Sequence, residues 1–449
     1  MRGVRPFLVL LVLAAGLGAY IYFVESKRTP ASEETEKREK VFSVEAAGIQ
    51  ALEVKSDTGE RTKLKKADGA WQIVEPAVSA ADDTEASGIA TGLASLEIQR
   101  VVEEKPADIG QYGLKDPRIE LAFQADGATG TKRLLIGQKT PTGGDLYAKL
   151  DGQDRVFLIP AYLETTFNRG TFDLRDKRIL KIERDKIETI EIVSGDRTLR
   201  LAKAGADWTI AAPVQARGEY SLIDGIVRRL DDARMSAIVA TEKADLKSYG
   251  LDKPKVLIRL GMGSSQAAIE FGKTLDDNDK VYARDVSRPI VFTVQKSLPE
   301  DLGARTAADY RRKDLFEFRP FTAARIEFAR DGKTYTFEKV KGQDGAEKWR
   351  QTAPARRDPD ATKMESLLSA FANLRAQSFV DVPKGTGLDK PVVVVSVEFG
   401  DSEHKEREKV SFGQAGDAAH ALAEGEPGAA KLDATEFTNA LKALDEIIK

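Results

Sequence analysis

Trp71-Gln-Ile-Val-Glu-Pro76, Trp208-Thr-Ile-Ala-Ala-Pro213 and Trp349-Arg-Gln-Thr-Ala-Pro354 share one pattern, a tryptophan with a proline five positions on. They hold every tryptophan of the 449-residue chain, at spacings of 208−71=137 and 349−208=141. Rare residues placed this regularly mark an internal repeat. The chain is too long for one core, and its length alone predicts two to four domains.

Working outward, a second marker follows each tryptophan: YGLKDP at Tyr112 to Pro117, YGLDKP at Tyr249 to Pro254 and TGLDKP at Thr386 to Pro391. Their glycines, Gly113, Gly250 and Gly387, are spaced 137 and 137. A third marker, DLRDKRIL from Asp173, resembles DYRRKDLF from Asp309, and REKVF from Arg38 keeps a trace of it.

Between the first two markers a helix recurs. Ala86, Ile89, Leu93 and Leu96 share one face by their spacing of three, four and three, as do Ile223, Ile226, Leu230 and Ala233, and Met364, Leu367, Phe371 and Leu374. Thr84, Ser221 and Thr362 are expected to cap it, with Asp82, Glu219 and Asp360 favourable at its positive end. Strands are expected in the first copy at 51–55, 62–66, 70–74, 119–123, 132–136, 146–150 and 155–159, then a short helix at 161–168. The fold class is therefore α+β: three tandem repeats of a mostly antiparallel β module with one packed amphipathic helix, plus one N-terminal transmembrane helix. The expected boundaries are 6–24 for the membrane helix, 25–39 for a polar stalk, and 40–176, 177–312 and 313–449 for the modules. Asp417 to Lys431 is Ala/Gly-rich and low in β-formers, so the C-terminal half of the third module is expected to be degenerate and frayed.

The membrane helix rests on Pro6 to Val24, nineteen positions without a charge. At about 1.5 Å per residue this spans a hydrocarbon core of roughly 30 Å. A cleaved signal peptide is the competing reading, but the segment stays apolar through Tyr20-Ile-Tyr-Phe-Val24, beyond the small residues Ala14 to Gly18. Arg2 and Arg5 precede it, which favours a cytoplasmic N-terminus and modules on the far side of the membrane in a single-pass protein. Lys+Arg (69) and Asp+Glu (72) nearly cancel, which removes the electrostatic case for a nucleic-acid partner. The chain has no cysteine, so disulfides, thiolate metal sites and cysteine nucleophiles are excluded.

The recurring residues read as packing rather than chemistry. Trp71, Trp208 and Trp349 are expected as core plugs, with Pro76, Pro213 and Pro354 as their companions. Gly113, Gly250 and Gly387 supply a positive φ, Leu114, Leu251 and Leu388 seal the core, and Pro117, Pro254 and Pro391 each start an edge strand. His420 aligns with the strand tyrosines Tyr147 and Tyr282, and His404 lies in a charged turn. Neither has the neighbours of a triad or a zinc site. Asp276-Asp277-Asn278-Asp279 lacks the spacing of a calcium loop and reads as a hairpin turn, as does the Gly261-Met-Gly-Ser-Ser265 segment. No catalytic, metal or cofactor residue is assigned.

The anchor, the Trp–Pro pattern and the YGLxxP loops together resemble the bacterial family known as domain of unknown function 4340. That resemblance implies an N-terminal membrane segment and an accessory role in the cell envelope beside a gliding-motility-type ABC transporter, with its permease or auxiliary subunit as partner. The expected function is thus a membrane-anchored periplasmic scaffold or binding subunit and not an enzyme. An envelope hydrolase or cell-wall-modifying enzyme with an inter-module carboxylate site, and a small-ligand sensor, are the alternatives.

Overall fold

Apolar residues alternate with polar ones in the segments flanking Trp71, and Leu52, Val54, Leu64 and Ile73 all turn to one buried face. The computed structural model describes residues 38–127, 130–241, 244–276, 279–341, 346–381, 384–400 and 404–449. The apolar run 6–24 and the stalk as far as residue 37 lie outside them. Among the described residues no helix is long and apolar enough to cross a membrane. The chain divides into two compact units between Lys177 and Arg178.

The first unit holds β1 (Ile49–Lys55), β2 (Arg61–Ala67), β3 (Ala70–Glu75), β4 (Ser79–Ala80), helix α1 (Asp83–Ala94) and β5 (Arg100–Glu103). There follow β6 (Ile119–Ala125), β7 (Lys132–Lys139), β8 (Asp145–Leu150), β9 (Val156–Pro160) and α2 (Glu164–Phe167). They form one antiparallel sheet in the order β4-β3-β2-β1-β6-β7-β8-β9-β5. Two meanders therefore meet at β1 and β6, and α1 carries the chain from one edge of the sheet to the other.

The second unit repeats this order. Its first sheet is built from β10 (Thr189–Ser194), β11 (Arg197–Ala204), β12 (Asp207–Ala212), β13 (Ala216–Arg217), α3 (Tyr220–Asp232) and β14 (Ala237–Thr241). It continues through β15 (Val256–Met262), β16 (Ser265–Thr274), β17 (Lys280–Asp285), β18 (Ile290–Gln295), α4 (Ser297–Ala304) and α5 (Ala307–Tyr310). The strand order is β13-β12-β11-β10-β15-β16-β17-β18-β14.

The third sheet contains β19 (Ala323–Arg330), β20 (Lys333–Lys341), β21 (Glu347–Ala353), α6 (Ala361–Ala372) and β22 (Ser378–Val380). It ends with β23 (Val393–Gly400), β24 (Lys405–Ala415), β25 (Ala418–Ala423), β26 (Ala429–Leu432) and α7 (Ala434–Ile448). Its order, β21-β20-β19-β23-β24-β25-β26-β22, lacks a counterpart of β4. A single bridge between Gln351 and Arg357 stands there instead.

In each repeat the helix packs by the face read from its periodicity. Ala86, Ile89, Leu93 and Leu96 are buried, as are Ile223, Ile226 and Leu230 and all four residues of the third set, while Ala233 is half-buried. The caps differ from expectation. Asp82 accepts from the N–H groups of Thr84 and Glu85, and Asp360 from that of Lys363, so the acids two residues earlier cap the helix. A short aspartate side chain reaches those donors, whereas Glu219, one methylene longer, makes no cap bond.

The C-terminal half of the third repeat carries strands β24 to β26 and helix α7. Its alanines are buried because neighbouring aromatics take the space: the rings of Phe412 and Phe437 stack at 5.3 Å above Ala419, Ala421 and Ala430 in the same core. The terminal helix α7 runs fifteen residues and packs on α6, so this repeat has two long helices rather than one.

The edge-strand role expected of Pro117, Pro254 and Pro391 is also corrected. Each lies two residues before an interior strand, β6, β15 or β23, so the missing N–H falls outside the ladder. The glycines do adopt the left-handed backbone, with φ of 69°, 68° and 76°. Each turn rests on a second glycine inside the sheet, Gly137, Gly272 or Gly413, where a Cβ would strike the turn's backbone.

At Gly272 that Cβ would stand 2.2 Å from the carbonyl oxygen of Tyr249, while at Gly225 in α3 it would meet nothing within 4 Å. Gly272→Ala is predicted to lower stability by about 1–3 kcal/mol through overpacking. Gly225→Ala is predicted to raise it by about 0.5–1 kcal/mol through helix propensity. Chemical unfolding midpoints of the full chain should therefore move in opposite directions.

Candidate functional site

The repeated residues are engaged in packing. Trp71 and Trp208 are 3% exposed, and Trp349 is half-buried. A cross-strand lysine covers each indole: Lys66, Lys203 and Lys339 lie 5.1, 5.5 and 5.6 Å from the ring centroids. Opposite residues of an antiparallel pair share a face, so this cation–π pair follows from the hairpin register. The peptide bonds before Pro76, Pro213 and Pro354 are cis, and one residue upstream the register skips Val74, Ala211 or Thr352.

The YGL loops lie on the sheet face away from the helix. Leu114 joins Tyr112 and Val156 in a small cluster separate from the main core, which corrects the expectation that it closes that core. Leu251 is equally buried and Leu388 half-buried. The rings of Tyr112 and Tyr147 are 4.8 Å apart, and those of Tyr249 and Tyr282 4.9 Å. In the third repeat the same two positions are buried Thr386 and His420. His420 lies opposite Gly413 and Lys431, and its Nδ1 has no hydrogen-bond partner. His404 is exposed one residue before β24. Asp277 and Asn278 lie outside the described residues, and among those described no group of three His, Asp or Glu is placed to hold a metal ion.

A cluster of charged residues lies where the second and third sheets, both in the second unit, join. The segment from Tyr310 is extended and bonded on both sides. Glu219 N–H donates to the Tyr310 carbonyl at 2.7 Å and Arg312 N–H to that of Arg217 at 2.9 Å. Three residues on, Ala376 N–H donates to the Lys313 carbonyl at 2.8 Å.

Three arginines and three glutamates fill this seam. Arg217 donates from Nε to Glu426 Oε1 at 3.0 Å and from Nη1 to Glu317 Oε1 at 3.1 Å, and Nη1 stands 3.7 Å from Glu408. Arg312 reaches the same Glu317 oxygen at 2.5 Å. Arg311, only 5% exposed, donates to Glu426 Oε2 at 3.3 Å and to the Pro427 carbonyl at 2.9 Å, and its guanidinium carbon stands 3.8 Å from the Phe379 ring centroid. Burial holds its guanidinium below the ordinary arginine value, against the pull of Glu426.

Glu408 accepts from the Glu317 N–H at 2.8 and 2.9 Å and from the Phe318 N–H at 3.3 Å. Desolvation nevertheless pushes its carboxyl above the usual glutamate range. A raised carboxyl near other carboxylates is the combination glycoside hydrolysis uses, but there both groups must be free to meet substrate. Here each carboxylate is held by arginine or backbone donors, and the arrangement acts as a clamp. Arg311 and Arg312 lie within the DYRRKDLF marker, where Arg311 aligns with Arg175, but none of the six was given a role from sequence. The available signal was non-repetition: Arg217 stands where the first repeat has Ala80 (217−137=80).

Among the described residues several clefts lie apart from the seam. A shallow groove of 320 Å³ crosses the solvent face of the first sheet between Glu53, Lys63, Val74 and Gln124. A second, of 270 Å³, lies in the second repeat between Leu199, Pro213 and Gly303.

The family model for the domain of unknown function DUF4340 matches residues 71–239 and 208–391. The chain belongs to the DUF4340 family. Both matches start at a repeat tryptophan, Trp71 and Trp208, and each runs into the following repeat, so a DUF4340 unit is out of phase with the sheets. No curated protein matches the chain in sequence.

Because the Glu408 carboxyl is raised in the fold, the folded protein binds that proton more tightly than the unfolded chain. Its contribution to stability must fall as pH climbs from the ordinary glutamate value, about 4.3, through the folded value, and stay lost above it. Glu408→Gln has no proton to lose. Its stability relative to the parent is predicted to rise with pH across that interval and to be level below it. Unfolding midpoints of both proteins over a pH series check this, and parallel curves would contradict it.

Proposed function

We propose that this DUF4340 protein is a membrane-anchored periplasmic scaffold or binding subunit, held in the inner membrane by 6–24 with its N-terminus cytoplasmic. In this reading its repeats contact an ABC-transporter permease or auxiliary subunit. The observation that carries the proposal is the division of labour among residues. Those that recur in all three repeats are engaged in packing, and the charges at the seam join the second and third repeats into one unit. A unit built this way suits the display of the surfaces of the second and third repeats together.

The hydrolase alternative is weakened by the commitment of Glu317, Glu408 and Glu426 to arginines and backbone donors. The sensor alternative keeps one specific support, the cleft beside Pro213.

Affinity capture of the full chain from solubilised membranes is expected to recover transporter permease or auxiliary subunits, and their consistent absence would count against the partner. A reporter fused after Lys449 is expected to signal from the periplasm. Cytoplasmic signal would overturn the orientation.

A further inference from the structure

One corner of the fold is closed differently in each repeat. It lies where the first hairpin of a repeat meets the segment that follows its last strand. In the first repeat the hairpin between β1 and β2 is long, and the Oε2 of exposed Glu60 accepts the Thr171 N–H at 2.8 Å. Gly170 makes room for it, since a Cβ there would lie 2.8 Å from that oxygen. In the third repeat the corresponding hairpin, closed by Arg330 and Lys333, meets α7, and Arg330 Nη1 bonds Asp445 Oδ1 at 2.8 Å. Both corners contain a carboxylate of the chain itself.

In the second repeat, among the described residues, no carboxylate is bonded across the corner, although Asp196 of the hairpin turn lines it. Its hairpin is cut to the pair Ser194 and Arg197, and Arg197 stands where Glu60 does, eleven residues before the tryptophan (71−60=11, 208−197=11). The charge is reversed and the space is left as the 270 Å³ cleft. Its walls are largely apolar, from Ile192, Leu199, Pro213 and Ala307, and Arg197 and Arg305 flank them. Arg197 gives two of its five N–H groups to the carbonyls of Gly303 and Ala304, at 2.7 and 3.2 Å, which leaves three donors. Arg305 is exposed, with its guanidinium 5.7 Å from the Tyr310 ring. Among the described residues neither makes an ion pair within 4 Å; the nearby Asp309, whose charge Arg305 helps to stabilise, accepts from the N–H and hydroxyl of Thr306 at 2.7 and 2.8 Å. Asp196 also lines the cleft, which disfavours ligands carrying several negative charges.

We propose that this cleft binds a small monocarboxylate with a short apolar body, its carboxylate set against Arg197 and Arg305 where the first repeat places Glu60. The volume is just below the range for drug-sized ligands, which starts at about 300 Å³, so the ligand is small. Arginine pairs with carboxylates through charge-assisted bonds, and the apolar walls take the alkyl part. The site does not depend on the scaffold reading: transporter capture can fail while the cleft still binds.

The test is calorimetric titration of the full chain with sodium hexanoate, with 1-hexanol and hexylammonium chloride as matched probes. Hexanoate is expected to bind saturably at one site, and both other probes about tenfold more weakly or less. Arg197→Gln and Arg305→Gln are each expected to weaken hexanoate about tenfold. Since Arg197 also caps α4, a fall in the unfolding midpoint of its variant leaves the decision to Arg305→Gln. Absence of saturable hexanoate binding, equal affinity for the three probes, tighter binding of hexylammonium, or unchanged binding in the deciding variant would each overturn the assignment.

Discussion

Each repeat depends on the point where its third strand gives way to its helix. In the first repeat Trp71 is fixed there from three directions. Its N–H donates to Asp83 Oδ1 at 2.7 Å, its indole N–H to Ser87 Oγ at 3.2 Å, and Lys66 covers the ring. An indole buried with its one donor satisfied by the helix locks helix to strand, and its large apolar area makes that contact a main source of stability. The remaining layout follows. Once the helix starts at the β4 edge and lies over the sheet, its end delivers the chain to β5 at the far edge. The chain must then return through the YGL loop on the other face to reach β6 in the middle.

How much of this was legible depends on whether the determinant is local. The helix faces were readable because Ile89 and Leu93, or Leu367 and Phe371, obey a period that sequence displays directly. The caps were misassigned because aspartate and threonine are both competent, and only backbone geometry chooses Asp82 over Thr84. Strands β4 and β5 were missed because two and four residues cannot show alternation. The β1–β6 pairing spans some seventy positions (119−49=70), and no local signal specifies it. Gly137, Gly272 and Gly413 do recur, at spacings of 135 and 141, but a glycine within a strand pattern reads as a weak strand until the turn resting on it is seen. The alanine-rich strands of the third repeat were hidden for a related reason. Alanine is a poor β-former by itself, and what makes it right at 419 and 421 is the Phe412–Phe437 stack supplied from elsewhere.

The seam shows what charges add to such a structure. Three positive and three negative side chains, partly withdrawn from water, need not stabilise the unit more than well-packed apolar residues would. Their effect is on specificity. A shift between the second and third repeats would strand Arg311 or Glu408 without a partner, and an unpaired buried charge is strongly unfavourable. The apolar cores determine that each sheet folds, while the clamp restricts how the second and third are joined. Arg311 serves both ends of that junction, because its guanidinium lies against Phe379 of the third sheet while its backbone bridges Gly218 of the second.

Three copies of one topology in one chain also separate what folding demands from what it merely permits. The tryptophan with its proline and the stacked glycines recur at equivalent places in all three sheets. The position eleven residues before the tryptophan is different: it is Glu60 in the first repeat and Arg197 in the second, with the same strand order around both. Folding tolerates either sign of charge there, so the fold does not select arginine in the second repeat. The shortened hairpin that accompanies it removes the carboxylate filling the first repeat's corner and leaves a guanidinium beside an apolar cleft. In a chain whose recurring residues are occupied with packing, a corner where both charge and shape change together is where binding chemistry has room to reside.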